Sequence, residues 1–161
     1  MKKLFVNLFV FALMAFANST SATTDACPVL DDALITLPAG TTVSLSLNEE
    51  LNSDDFFVGN AIDFMVRSNV TVNGKVLIAA GTFAEGTITS VKNSCKGECP
   101  EITISVDNVQ AVDGQRVNLN SKPHKVKARC CNTCGNQDEK AVINMGTSIS
   151  ARVMDSTQIE G

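Results

Sequence analysis

The chain has 161 residues and carries 13 Lys and Arg against 17 Asp and Glu, which gives a formal net charge of −4. Trp and Tyr are both absent. Nucleic-acid binding depends on clustered cations, sugar-binding modules usually use aromatic platforms, and membrane barrels carry aromatic girdles. The composition therefore argues against a nucleic-acid partner, a sugar-binding module and a membrane barrel.

The first 22 residues are typical of a secretory signal peptide. Lys2 and Lys3 precede an apolar stretch over residues 4–14, and small residues allow cleavage after Ala17 or after Ala22. This stretch is shorter than the roughly 20 residues of a membrane-spanning helix, although retention as an anchor is the alternative. No Cys stands in a lipoprotein position, and no later segment is apolar enough to span a bilayer. We expect a periplasmic or secreted protein without an integral membrane segment after cleavage, with a mature charge of −6 once both lysines are lost.

Residues 34–161 are predicted to form a single β domain after a short N-terminal segment over residues 23–33. Two cysteine-bearing loops, over residues 92–100 and 120–140, interrupt its pattern of short apolar runs. Outside the signal peptide no segment repeats apolar residues at helical spacing, so we expect no helix beyond a single turn near residues 54–58.

A corner made of an apolar residue, two further residues and Gly-Thr occurs three times, each between a short apolar run and a run of alternating apolar and polar residues. Glycine adopts positive φ at no steric cost, so each copy is interpreted as a turn and not as a binding loop. The copies are Leu37-Pro38-Ala39-Gly40-Thr41, Ile78-Ala79-Ala80-Gly81-Thr82 and Ile143-Asn144-Met145-Gly146-Thr147.

Further turns separate the remaining strands. Gly59-Asn60, Asn73-Gly74 and Asp113-Gly114 predict turns, the last two as tight hairpins, and Gly86 inside a strand indicates a bulge or sharp bend. About eight to ten short strands result, so the predicted fold is all-β, a small soluble barrel or sandwich. The predicted structural turns are Gly40, Gly74, Gly81, Gly114 and Gly146.

The order of these elements resembles the soluble β-barrel domain of the TrbI-like family, the core scaffold of type IV secretion and conjugation machines, and related exported bacterial β-domains. The resemblance covers roughly residues 34–119. It rests on the first corner, on Leu51-Asn52-Ser53-Asp54, on the stretch Val-Asn-Gly-Lys-Val-Leu-Ile-Ala-Ala-Gly-Thr and on Val112-Asp113-Gly114. It implies a barrel fold and a scaffolding role. The membrane helix, Pro-rich stretch and helical extension of those scaffolds are not visible in the sequence, so membership of a secretion machine is not implied.

Six cysteines lie in the predicted mature chain, and an even number in an exported protein favours disulfides. We expect a bridge between the two cysteine-bearing loops, with Cys27 tying down the N-terminal segment, although the pairing cannot be deduced from sequence. The disulfide candidates are Cys27, Cys95, Cys99, Cys130, Cys131 and Cys134.

A zinc site is the alternative use of the same cysteines, because four thiolates can hold Zn²⁺. The ligands would be Cys95, Cys99, Cys131 and Cys134, with His124, the chain's single His, as a further ligand. Free or redox-active thiols are a third interpretation, but no helix is predicted that could lower a thiol pKa. We expect no cofactor on the disulfide interpretation and zinc on the alternative.

An enzyme is not expected. The single His lies in a Lys-rich segment without a nucleophile motif nearby. Glu49-Glu50 and Asp54-Asp55 are adjacent carboxylates, and neighbouring side chains on a strand point opposite ways, so neither pair suits acid/base catalysis. Both pairs are interpreted as solvated loop charges. The basic cluster of the chain is interpreted as a solvated loop or an edge strand. Its members are Lys122, Lys125, Lys127 and Arg129.

The predicted function is therefore an exported, non-enzymatic structural or protein-interaction domain, as part of an envelope assembly. Its expected partner is another envelope or secreted protein, engaged through an exposed strand edge or through loops. The alternative is a small exported metal-binding or thiol-redox protein that uses the cysteine clusters.

Overall fold

The described part of the chain contains β-strands and no helix, as the alternating pattern of apolar and polar residues predicts. The computed structural model describes residues 33–93, 99–128 and 140–161. None of these residues belongs to a helix that is long and apolar enough to cross a membrane. The strands in chain order are β1 (Leu34–Leu37), β2 (Thr42–Leu47), β3 (Leu51–Asn52), β4 (Ala61–Val66), β5 (Val70–Val72), β6 (Lys75–Ile78), β7 (Phe83–Lys92), β8 (Glu101–Gln110), β9 (Arg116–Ser121), β10 (His124–Lys127), β11 (Val142–Ile143), β12 (Ser148–Val153) and β13 (Thr157–Glu160).

Six of these strands close into an antiparallel barrel. The order around it is β8-β7-β4-β2-β12-β9, and β9 pairs with β8 to complete the ring. Strand β10 pairs with β8 beside β9, while β1–β13, β3–β11 and β5–β6 form separate two-stranded ribbons. The structure thus decides for a barrel over a sandwich.

The described strands number thirteen, more than the predicted eight to ten. The difference comes from very short elements such as β3 and β11, which have two residues each. Two residues are too few to show a period of two, so only their pairing with each other identifies them as strands.

The inward-facing residues of the barrel belong to one apolar core, in which the side chain of Phe64 is fully buried. Gly86 of β7 makes room for that side chain, because a Cβ at Gly86 would lie 2.6 Å from Phe64 Cε2 and 2.1 Å from the main-chain oxygen of Ser105. The β7–β8 register also shifts between Glu85 and Gly86. The bulge predicted at this glycine is confirmed.

The three Gly-Thr corners have the same backbone structure. Each glycine takes a positive φ, of 81° at Gly40, 85° at Gly81 and 81° at Gly146. In each copy the Thr N–H donates to the carbonyl three residues earlier, as in a type II turn. These bonds run from Thr41 to Pro38, from Thr82 to Ala79 and from Thr147 to Asn144.

Each corner also hydrogen-bonds to the last residue of another barrel strand. At the first corner, Gly40 N donates to Val153 O at 2.8 Å, and Val153 N donates to Thr41 O at 2.9 Å. The second and third corners bond in the same way to Val66 and Leu47. The corners therefore fix strand ends as well as reversing the chain.

A fourth corner has the same geometry without the Gly-Thr pair. Gly59 has φ 92°, Asn60 N donates to Phe57 O at 3.1 Å, and Gly59 N donates to Ile88 O at 2.8 Å. The sequence predicted a turn here but not its equivalence to the others, because Asn60 replaces Thr.

Two predicted loops are partly strand. The described part of residues 120–140 contains the end of β9 and the whole of β10, and Lys92 of the other predicted loop ends β7. Strand β10 reads as polar in sequence. It is a strand because it pairs with β8 and packs Val126 against the core.

Candidate interaction site

Strands β9 and β10 lie one after the other along the same side of β8. The first pairs with residues 108–110 of β8, and the second with residues 101–104. Only β9 continues to the next barrel strand, where Leu119, Asn120 and Ser121 pair with residues 151–153 of β12. Among the described strands β10 has no partner but β8, so it is an edge strand.

The outer edge of β10 presents the main-chain groups of its two lysines. Ala128 N donates to the main-chain oxygen of Pro100, the residue directly before β8, at 2.9 Å. Because alternate residues of an antiparallel strand bond to the same neighbour, the main chain of Val126 and His124 also faces β8. The N–H and C=O groups of Lys125 and Lys127 therefore point away from the barrel ladder.

Strand β12 has a matching unpaired stretch at its start. Leu47 N donates to Thr147 O at 3.0 Å, which directs the odd-numbered residues of β12 towards β2. The main-chain groups of Ser148 therefore face the other side, beyond the last pair of β12 with β9, which joins Ala151 to Ser121. No described strand takes up these groups.

The two unpaired edges lie on the same side of the ring, since β9 separates β8 from β12 and β10 continues β9 along β8. We call residues 124–127 of β10 and residues 148–149 of β12 together the open seam. Among the described residues, it is where the main-chain ladder of the barrel wall is incomplete.

A buried carboxylate holds the lysines of β10. Glu101 of β8 is 3% exposed. Lys125 Nζ lies 2.7 Å from its Oε1, and Lys127 Nζ lies 3.2 Å from its Oε2. The hydrogen bond from Lys125 is the largest influence on the pKa of Glu101, and with Lys127 it lowers that pKa although burial acts in the opposite direction. Lysines often protect an edge strand from unwanted pairing. Here both ammonium groups contact Glu101 of β8 instead of extending beyond the outer edge of β10.

The structure separates the members of the predicted basic cluster. Lys125 and Lys127 lie on the edge strand, which was one of the two predicted interpretations, and Lys122 follows the end of β9. Arg129 lies outside the described residues. His124 begins β10 opposite Ile104 and is half-buried.

Of the six cysteines, only Cys99 lies within the described residues, and there it is disulfide-bonded. The predicted pairing scheme needs the other cysteines as well, and three of the four zinc ligands lie outside the described residues, so both stay predictions. Within the described ranges no three His, Cys, Asp or Glu side chains come together as a metal site. The cysteine positions outside these ranges are Cys27, Cys95, Cys130, Cys131 and Cys134.

The predicted solvated carboxylates lie around the short strand β3. Asp54 is exposed and its Oδ2 lies 3.8 Å from Lys140 Nζ. Asp55 and Glu50 are exposed as well, and Glu49 is partly exposed.

No protein-family model matches the chain, and no curated protein matches it. Among solved structures it is similar to ComB10 of the Com type IV secretion system of Helicobacter pylori. The identity is 12% and the TM-score is 0.48, over 76% of this chain and 90% of ComB10.

Proposed function

We propose that this domain is an exported protein-interaction module that accepts a strand of a partner protein at the open seam. The observation that carries the proposal is the pair of unpaired main-chain edges, on Lys125 and Lys127 of β10 and on Ser148 of β12. An extended peptide binds such edges by adding a strand, with main-chain hydrogen bonds supplying affinity.

The energetics of strand addition suit this edge. Each main-chain hydrogen bond contributes about 0.5–1.5 kcal/mol net, so binding needs several bonds and a strand that is already in place. Strand β10 meets the second condition, because its lysines are bonded to Glu101 and Val126 packs against the core. A partner strand would thus pair with an ordered edge.

The predicted signal peptide over residues 1–22 lies outside the described residues and would place the module in the periplasm or outside the cell. A scaffolding role in an envelope assembly is part of the proposal, as the resemblance to the TrbI-like family implies. The proposed role is non-enzymatic. The alternative, a metal- or thiol-handling protein, is distinguished by elemental analysis and thiol titration of protein purified without chelator or reductant.

The test isolates one main-chain N–H. Lys125→Pro removes the outward N–H of β10 without removing a main-chain bond to β8. Lys125→Ala removes the same ion pair with Glu101 as the proline variant does, but it keeps the N–H. A photo-crosslinker replaces the exposed Ser148 at the seam or, as a control, the exposed Thr71 of β5. Cross-linking is carried out in cells that export the full chain, after thermal melting has shown both variants to be folded.

We expect a discrete adduct from position 148 that survives Lys125→Ala and disappears with Lys125→Pro, with no such adduct from position 71. An adduct that both variants retain would refute strand addition. An adduct formed only within the chain would show that the seam is closed by the protein itself, which also refutes the proposal.

A further inference from the structure

A second surface, on the outer wall of the barrel, is independent of the main-chain edges of the seam. Strands β2 and β12 pair there with side chains that are small and hydroxylic. Ser46 lies opposite Ser148, and Ser44 lies opposite Ser150. Such side chains leave the main chain accessible and offer hydrogen-bonding groups to a ligand.

Two cations lie at one end of this wall. Arg152 of β12 sits in register between Thr42 of β2 and Asn120 of β9. Lys122 follows the last paired residue of β9 and therefore lies alongside Ser150. Adjacent strands are about 4.8 Å apart, so these side chains can reach one ligand together.

The surface is concave at this point. A shallow cavity of about 740 Å³ is lined by Thr42, Asn120, Lys122, Ser150 and Arg152, with Val153 also contributing to the lining. No Asp or Glu lines it. Within the described ranges neither cation has an ion pair. A protein with a formal net charge of −4 thus has a cavity that contributes two positive charges and no negative one.

Both other arginines among the described residues have a partner. Arg116 on β9 lies 3.1 Å from Oε2 of Glu85, and Arg67 donates from Nη1 to Ser148 Oγ at 2.7 Å. Arg152 has neither kind of partner among the described residues. Its guanidinium is available to an external acceptor.

We propose that this cavity binds a tetrahedral oxyanion, a phosphate or sulfate group. The guanidinium of Arg152 can donate two parallel hydrogen bonds to such a group, and Lys122 adds a point charge. The hydroxyls of Thr42 and Ser150 and the amide of Asn120 complete the donors. The group can be a free ion or belong to a larger molecule such as a lipid headgroup, and both sources present the same oxygens.

The test uses the full mature chain with its disulfides intact, in a low-salt buffer free of phosphate and sulfate. Inorganic phosphate and sulfate are titrated and followed by amide chemical shifts. The variants are Arg152→Gln and Lys122→Gln, and the matched control is Arg116→Gln, an exposed arginine of the same wall that already has a carboxylate partner.

We expect saturable shifts confined to residues lining the cavity. Arg152→Gln should weaken binding about tenfold or more, since hydrogen bonds to charged groups are worth about 1.5–3 kcal/mol. Lys122→Gln should weaken it several-fold, and Arg116→Gln should leave it unchanged. A parallel arm tests sedimentation with vesicles containing phosphatidylglycerol, and a loss of sedimentation with Arg152→Gln would identify a lipid headgroup as a source of the oxyanion.

Absence of saturable phosphate or sulfate binding in the unmodified chain would overturn the proposal. Equal weakening by Arg152→Gln and Arg116→Gln would overturn it as well, because it would show a response to net charge only. Neither result bears on strand addition, which concerns the main chain of β10.

Discussion

The ammonium group of Lys125 lies 2.7 Å from Oε1 of Glu101 and joins the edge strand β10 to the barrel strand β8. Lys127 contacts the other carboxylate oxygen at 3.2 Å. One buried carboxylate thus holds two lysines of the only described strand that extends the barrel ladder without belonging to the closed ring.

This ion pair predicts a specific pH dependence of stability. The pKa of Glu101 is lower in the folded chain than its ordinary value of 4.5. Its contribution to stability is therefore complete above that value and is lost as the pH falls through the folded-state pKa. We expect Glu101→Gln to lower the free energy of unfolding at pH 7 and to make the acid limb of stability shallower. Urea unfolding between pH 7 and pH 3 measures both, with Asp155→Asn, an exposed carboxylate, as the control. An acid limb identical to that of the unmodified chain would contradict the prediction.

Alanine substitutions at Gly86 and Gly40 are expected to lower the free energy of unfolding by different amounts. Gly86→Ala places a Cβ against the Ser105 carbonyl and the Phe64 ring, so we expect a loss of about 3 kcal/mol from overpacking and main-chain displacement. Gly40→Ala meets no atom within 4 Å but keeps a φ of 81°, so we expect a loss of about 1 kcal/mol. Denaturant unfolding of both variants gives the difference. Equal losses would contradict the prediction, because they would show that the close approach of Gly86 to β8 and Phe64 costs no more than an unfavourable φ.

Thr103 is expected to be replaceable by valine with a gain in stability. Its Oγ1 is buried and has no hydrogen-bond partner, and an unsatisfied buried hydroxyl is destabilising. Thr103→Val keeps the shape and removes the polar atom, so the free energy of unfolding should rise by about 1 kcal/mol. Thr103→Ala is the control, because it removes the hydroxyl together with the methyl group and leaves a cavity. Destabilisation by the valine variant would show that the hydroxyl has a partner in solution.

Ser53 is expected to matter because its hydroxyl satisfies a buried main-chain group. Ser53 is 1% exposed. Its Oγ accepts a hydrogen bond from Ala141 N at 3.2 Å, and its own N–H donates to Ala141 O at 3.0 Å. Ser53→Ala leaves the buried Ala141 N–H without a partner, at a cost of about 1–3 kcal/mol.

The control for Ser53 is the same kind of bond at the surface. Ser156 Oγ accepts from Ala39 N at 3.1 Å, and both residues are exposed. Water replaces the serine in Ser156→Ala, so the loss measured by thermal unfolding should be distinctly smaller. Comparable losses for the two variants would contradict the argument from burial.

Much of the local structure could be predicted because it depends on a few adjacent residues. The three Gly-Thr corners, the bulge at Gly86 and the turn at Asn73-Gly74 all appear as predicted. Asn73 has φ 52° and Gly74 has φ 80°, as a tight hairpin turn requires. The equivalent corner at Asn60 was predicted only as a turn, since its likeness to the others lies in hydrogen bonds and not in residue type.

The candidate sites were less predictable. The Lys-rich segment indicated an edge strand or a loop, but the ion pairs of Lys125 and Lys127 require Glu101, which comes about twenty-five residues earlier in the chain. Arg152 gave no signal at all. It belongs to a cavity only because Thr42 and Asn120, from distant parts of the chain, lie on either side of it.

By itself the sequence determined an all-β chain, the positions of its corners and the inward face of most strands, because φ preferences and a period of two are properties of neighbouring residues. Only the tertiary structure decided that six strands close into a barrel, that β10 remains at an open seam and that two cations share a cavity. Those outcomes depend on which strands pair, and pairing is set by packing between residues far apart in the chain, which no local pattern encodes.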